Sequence, residues 1–127
     1  MNVIREQLPY TLDKFDASDL GKHFKGKVRE NFHSDDEIIM VTTDRVSAFD
    51  HVLGTIPFKG QVLTEIANFW FDKTHNIAPN HIISSPDPQV LIARKAETLP
   101  VEVIVRGYIT GSLWREYSKG INGQYGF

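Results

Sequence analysis

Lys25-Gly26-Lys27-Val28-Arg29 sets two lysines and an arginine around one glycine. Glycine lets a ligand approach the backbone closely. Lysine and arginine neutralise phosphate oxygens, the arginine by a two-pronged contact. On a strand Lys27 and Arg29 share one face, which suits a triphosphate lying over a β-hairpin. The segment is neither a Walker A loop nor a full GxGxxG glycine loop. Taken alone it also reads as a solvated basic edge strand with a tight turn.

Three further groupings carry chemical potential. Glu102, Arg106, Gly111 and Ser112 combine an arginine at a strand end with a serine at a helix start. Such a start binds anions, and Ser112 is positioned to cap it. A phosphate monoester fits there; so does a plain surface arginine beside an ordinary capping serine. Gly107 and Gly111 favour a ligand by allowing close approach. Asp44-Arg45-Val46-Ser47-Ala48-Phe49-Asp50 holds two carboxylates, a guanidinium and a hydroxyl within seven residues. These groups either orient a polar substrate or tie down their own loop through side-chain-to-backbone bonds. The aromatics Phe69, Trp70 and Phe71, with Trp114 and Tyr117, fit a hydrophobic core better than a base-stacking platform. Phe71 falls off the main stripe, towards solvent.

These residues need elements to hold them. Residues 1–20, with Pro9 and several aspartates, read as a lead-in with one helical turn at most. Phe24–Phe32 and Glu37–Thr43 flank the turn signal Ser34-Asp35-Asp36 and predict a hairpin. Residues 42–56 read as a polar loop. Leu63, Ile66, Ala67 and Trp70 form an i, i+3, i+4, i+7 stripe, so a helix starts near Gln61 and ends by Asn76–Pro79. Pro86 and Pro88 mark a loop. Gln89–Ala96 and Val101–Tyr108 read as two strands across a four-residue turn, an antiparallel pair. Val101, Val103 and Val105 then share one face, and Glu102, Ile104 and Arg106 the other. A last helix begins near Gly111-Ser112, with Gly120 as its C-cap. The order β-β-α-β-β-α predicts an α+β fold with a mostly antiparallel sheet and packed helices.

Composition narrows the classes. The chain has 127 residues, a net charge of -2 and no cysteine. It is the size of one domain, lacks the basic face of a nucleic-acid binder, and has neither a disulfide framework nor a thiolate metal site. Its start has no apolar signal core, and no run nears the ~20 apolar residues of a membrane span. A cytoplasmic protein with no membrane or nucleic-acid partner is expected. The five histidines follow no metal-ligand spacing, so no protein-held metal is expected. A Mg²⁺ bound through substrate phosphates stays open.

Taken in order, the segments resemble the SAICAR synthetase (phosphoribosylaminoimidazole-succinocarboxamide synthase) family. The matching blocks are Gly26–Glu30, Thr43–Asp50, Gly60–Thr64, Asn68–Phe71, Pro100–Tyr108 and Thr110–Tyr117. The resemblance runs over residues 20–127. It implies the N-terminal, ATP-binding lobe (21–127) of a SAICAR-synthase-like fold, akin to ATP-grasp and kinase folds, with the C-terminal lobe missing. The Gly-rich ending Asn122–Phe127 reads as a cut. The implied activity is an ATP-dependent ligase of purine biosynthesis, acting on ATP, carboxyaminoimidazole ribotide and L-aspartate. By resemblance, Gly26, Lys27, Val28 and Arg29 cover the ATP phosphates. Ala93, Arg94, Lys95 and Ala96 meet the adenine through their backbone, and Glu102 lies beside the nucleotide. Arg106 and Ser112 hold the ribotide phosphate. Asp44, Arg45, Ser47 and Asp50 lie near the reacting groups, while the catalytic residues stay unassigned. Glu30 stands where the common GKVRD form has aspartate. Mg²⁺ ligands belong mainly to the missing half, and the fragment alone is expected to be inactive. Two other readings compete: a kinase-like phosphotransferase lobe, and a non-catalytic nucleotide-binding or assembly module.

Overall fold

The structure is a computed structural model that describes residues 3–105 and 107–120. The chain divides into two compact units, Met1–Ala96 and Glu97–Phe127.

The first unit is built on β-prone runs that fold back on themselves. After a short helix α1 (Val3–Gln7) and a 3-10 turn (Ser18–Leu20) come β1 (Lys22–Lys25), β2 (Arg29–His33) and β3 (Glu37–Thr42). The expected Ser34-Asp35-Asp36 turn is present: the Ser34 N–H donates to the Glu37 carbonyl, and the Ser34 hydroxyl bonds the Glu37 backbone. Then follow β4 (Arg45–Ala48), β5 (His51–Thr55), α2 (Lys59–Lys73), β6 (Ile82–Asp87) and β7 (Val90–Arg94). Five strands form one antiparallel sheet in the order β1-β2-β3-β7-β6, and β4 pairs with β5 in a separate ribbon.

Four local expectations change. Residues 45–55 form a two-residue hairpin, not a loop, turning at Phe49 and Asp50 with φ of 49° and 66°. Paired positive φ values suit the right-handed strand twist, but Asn-Gly is the usual signal for them. Residues 82–87 form β6, although Pro86 and Pro88 pointed to a loop. β6 is the sheet edge, where proline removes no needed ladder bond. Lys27 sits in the β1–β2 turn, so the strand geometry that would align it with Arg29 does not hold. Residues 101–105 carry no strand. β7 already has β3 on one side and β6 on the other, so the expected 89–96/101–108 pair has no free edge on β7.

The helix α2 also lies differently from its sequence stripe. Its buried residues are Gly60 and Thr64, while Leu63, Ile66, Phe69 and Trp70 are about half exposed. Phe71, expected to face out, lies further in and meets His81 edge to face at 5.4 Å. Close approach sets this rotation. A Cβ on Gly60 would stand 2.3 Å from the Thr42 carbonyl oxygen and 2.5 Å from Gln89 Nε2. Thr64 then donates to the Thr42 hydroxyl at 3.0 Å.

The deepest apolar side chains are Phe32, Val41 and Ala93. Beside them, Glu30, Thr42, Thr43, Asp44, Arg45 and Thr64 are buried. A core so polar holds only if its groups satisfy one another, and that requirement decides the architecture around the β1–β2 turn. Phe32 is flanked by His23, stacked at 4.9 Å, and by Phe15, edge-on at 6.0 Å.

The second unit contains one element among its described residues, α3 (Gly111–Tyr117). Its N-cap is Thr110 and its C-cap Ser118, in place of the expected Ser112 and Gly120, and no side chain caps its start. Trp114 and Tyr117 stack at 6.0 Å, but both are exposed.

Candidate functional site

The residues 26–29 turn is built from beneath by two side chains. Arg45 opens β4, and its guanidinium is buried. Its Nε donates to the Lys27 carbonyl at 2.9 Å, and its Nη2 donates to the carbonyls of Gly26 (2.9 Å) and Arg29 (3.3 Å). Its Nη1 donates to the Asp13 carbonyl and to Glu30 Oε1, each at 2.5 Å. Thr43 holds the remaining carbonyl, that of Val28, with its N–H at 3.0 Å and its hydroxyl at 2.9 Å. The Gly26 N–H closes the turn on the Arg29 carbonyl at 2.8 Å.

Glu30 balances the buried cation. Its second oxygen is 2.9 Å from His23 Nε2, so that nitrogen carries the proton when the carboxylate is ionised. Burial pushes the Glu30 carboxyl up, but the Arg45 hydrogen bond and then the His23 bond outweigh it and hold it below its ordinary value. A charge-assisted pair with full hydrogen bonding is what such burial requires.

Asp44 is an anchor for three segments. Its Oδ2 accepts from the Leu12 N–H at 2.9 Å and its Oδ1 from the Gly60 N–H at 2.9 Å. Its own backbone bonds Leu12 and Ile56. The α2 N-cap, Phe58, has φ of 63° and no capping side chain, so Asp44 supplies the missing acceptor from outside the helix. Residues 11–15 are therefore fastened onto the sheet through Leu12, Asp13 and Phe15.

On the surface of the turn, Lys27 Nζ meets Asp50 Oδ1 at 2.5 Å, with both side chains exposed. The Lys27 hydrogen bond lowers the Asp50 carboxyl from its ordinary value. Arg29 points elsewhere. It lines a cavity of about 240 Å³ with Met40, Thr42, Leu63, Thr64 and Phe71, and its guanidinium has no partner among the described residues. Register places Arg29 opposite Thr42, Met40 opposite Leu91 and Ile38 opposite Ala93. Residues 38, 40 and 42 share one face of β3. Arg29 and Ala93 therefore belong to a common sheet face.

At the end of β7 the Arg94 N–H donates to the His81 carbonyl and the Lys95 N–H to the Asp36 carbonyl, each at 2.8 Å. The Lys95 carbonyl and the Ala96 N–H have no partner among the described residues. Ser47 lies half-buried in β4 opposite Val52. Glu102 and Ser112 are exposed in the second unit. Arg106 lies outside the described residues. The first unit thus brings together Gly26–Arg29, Asp44, Arg45 and Asp50. Sequence reasoning passed over Glu30 and Thr43 as site-builders, although Glu30 shares strand parity with Phe32, which marks a carboxylate on an apolar face. Among the described residues, no three His, Asp or Glu side chains cluster to hold a metal, and no helix is long and apolar enough to cross a membrane.

The family model of SAICAR synthetase matches residues 22–127. The chain belongs to the SAICAR synthetase family. A phosphoribosylaminoimidazole-succinocarboxamide synthase of Legionella pneumophila (strain Lens) is 52% identical over 105 residues, which is 80% of this chain and 34% of that protein. The chloroplastic synthase of Arabidopsis thaliana is 50% identical over 111 residues, 84% of this chain and 27% of that one. The SAICAR synthase of Saccharomyces cerevisiae, solved with SAICAR, superposes with a TM-score of 0.77 at 32% identity. That match covers 85% of this chain and 44% of the yeast chain. A type-2 SAICAR synthetase solved with ADP matches with a TM-score of 0.67 at 26% identity, over 75% of this chain and 42% of that one. The chain spans about a third of the length of the Legionella relative, 34%, and its mostly antiparallel sheet agrees with the fold of the solved relatives.

Proposed function

We propose that this chain is the nucleotide-binding part of an ATP-dependent ligase that joins L-aspartate to the carboxylate of carboxyaminoimidazole ribotide. A carboxylate is a poor electrophile. Transfer of the ATP γ-phosphoryl group to its oxygen gives an acyl phosphate and ADP. The aspartate amine then attacks the acyl carbon, phosphate leaves, and an amide remains. Such chemistry rests on positioning and on neutralising phosphate charge.

The observation that carries this reading is the turn at residues 26–29. All four of its carbonyls are held inward by Arg45, Thr43 and Gly26, while Lys27 puts a cationic side chain on its exposed surface and Arg29 lines the neighbouring cavity. In this reading Gly26–Arg29 cover the ATP phosphates. The adenine edge meets the unpartnered Lys95 carbonyl and Ala96 N–H, at the end of the Ala93–Ala96 segment, with Glu102 beside the nucleotide. Arg106 and Ser112 hold the ribotide phosphate. Ser47 and Asp50 lie near the reacting groups, and Asp44 and Arg45 serve there through the backbone they hold. Mg²⁺ would arrive on the ATP phosphates, its protein ligands coming from outside the described residues. Residues 21–127 form the ATP-binding lobe and 1–20 its lead-in, and the catalytic act needs a further lobe. The relative solved with ADP supports the nucleotide part of this proposal.

The test is an amide NMR titration of the 127-residue chain with Mg-ATP. Saturable shifts at Gly26–Arg29 and at Lys95–Ala96 are expected. A flat titration on a well-dispersed spectrum overturns a preformed nucleotide half-site in this chain. By itself the chain is expected to turn nothing over; steady ADP release dependent on both aspartate and ribotide in a coupled assay would contradict that.

A further inference from the structure

We infer that Arg45 is a positioning residue for the phosphate-covering turn, and not itself a ligand for substrate. The inference rests on the nucleotide-binding reading above. A guanidinium has five N–H donors, and Arg45 directs them to five acceptors: the carbonyls of Asp13, Gly26, Lys27 and Arg29, and Glu30 Oε1. No donor is left for a bound anion, and the group is buried beneath the turn.

The consequence for the turn is specific. With the Val28 carbonyl held by Thr43, every carbonyl from Gly26 to Arg29 has an acceptor role inside the protein. The N–H groups of Lys27 and Val28 have no acceptor among the described residues. Two successive free N–H groups on a tight turn form an anion seat. A polyphosphate would otherwise meet lone-pair repulsion from backbone oxygens, and Arg45 removes that by holding them away. Glu30 neutralises and orients the guanidinium, and His23 holds Glu30 in place. Lysine in its place would bring one ammonium with three donors from a single point, and cannot span four separated carbonyls.

The experiment uses Arg45→Lys in the full 127-residue chain, with Mg-ATP and inorganic tripolyphosphate as probes and amide NMR as readout. In the wild-type chain both probes move the Lys27 and Val28 amide signals saturably. In Arg45→Lys the signals of β3 and β7 hold their positions, but apparent affinity for either probe falls about tenfold or more. An Arg45→Lys chain that keeps the wild-type affinity within about twofold overturns the inference while leaving the nucleotide reading intact. A wild-type chain that responds to neither probe overturns the nucleotide reading and the inference with it. The wild-type Arg45 Nε–H signal gives a second measurement that needs no variant. It is expected to be protected from solvent exchange and to stay fixed as the turn amides shift. A signal that moves more than those amides would make Arg45 a direct ligand and sink the proposal.

Discussion

Arg45 and Glu30 meet at 2.5 Å beneath the β1–β2 turn, with side chains only 2% and 1% exposed. Removing one partner of such a pair leaves the other charge buried and unmatched, at a cost of roughly 3–5 kcal/mol. That is a large part of the ~5–15 kcal/mol that holds a typical domain together. Glu30→Ala is therefore expected to lower the urea midpoint severely. A loss under about 1 kcal/mol would show that water or another cation reaches the site.

The same carboxylate gives the fold an acid limb. Its folded-state value lies below the ordinary 4.5 because the Arg45 and His23 bonds outweigh burial. A carboxyl depressed on folding stabilises fully above its unfolded value, and that stabilisation drains as pH falls through the folded value. Urea midpoints should hold steady from neutral pH towards 4.5 and drop below it. In Glu30→Gln the midpoint starts lower and this part of the acid decline flattens. An unchanged decline would assign it to other carboxylates.

Gly60→Ala sets two effects against each other. Alanine is the better helix former by about 1 kcal/mol. The added methyl would stand 2.3 Å from the Thr42 carbonyl oxygen, and overpacking of that kind costs roughly 1–3 kcal/mol. Net destabilisation is expected, together with shifted amide signals for Thr42, Thr64 and Gln89. A more stable variant would mean that α2 slides outward freely.

Asp50→Asn releases the Lys27 ammonium from its surface partner at 2.5 Å. The unfolding midpoint should not move, because both groups are exposed. If Lys27 meets phosphate, Mg-ATP affinity should rise about two- to fivefold at low salt, and the gain should vanish as salt screens the charges. Weaker binding at every salt concentration would instead give Asp50 a direct part in the nucleotide site.

What could be read from residue order depended on where neighbours lie. The β2–β3 hairpin was legible because its turn residues and its apolar alternation agree. β7 was legible as a strand, but its partners were not, since pairing is a property of the whole sheet. β6 hid behind Pro86 because only an edge position makes proline tolerable in a strand. The rotation of α2 was hidden too. Apolar residues surround most of its circumference, and the deciding contact is the bare backbone of Gly60 against Thr42. The basic residues and glycine of Gly26–Arg29 marked a candidate phosphate segment, but the turn that splits Phe24–Phe32 into β1 and β2 was not legible. The role of Arg45 was not, because a guanidinium in a polar stretch looks alike whether it serves a ligand or four backbone carbonyls.

The strand order has a kinetic side. β1, β2 and β3 zip through turns of a few residues, and β6 and β7 form a second local hairpin. The two modules join chiefly where β3 pairs with β7. That step closes a loop of about 50 residues, at an entropic cost on the order of 3 kcal/mol beyond a fixed initiation term. Long-range pairing of this sort slows folding. The β3–β7 seam is thus expected to knit last during folding, and pulsed hydrogen exchange that protects its amides before those of the β2–β3 and β6–β7 hairpins would overturn that order. Two peptides cut between α2 and β6 would each keep their local hairpins and have that seam as their route to reassembly.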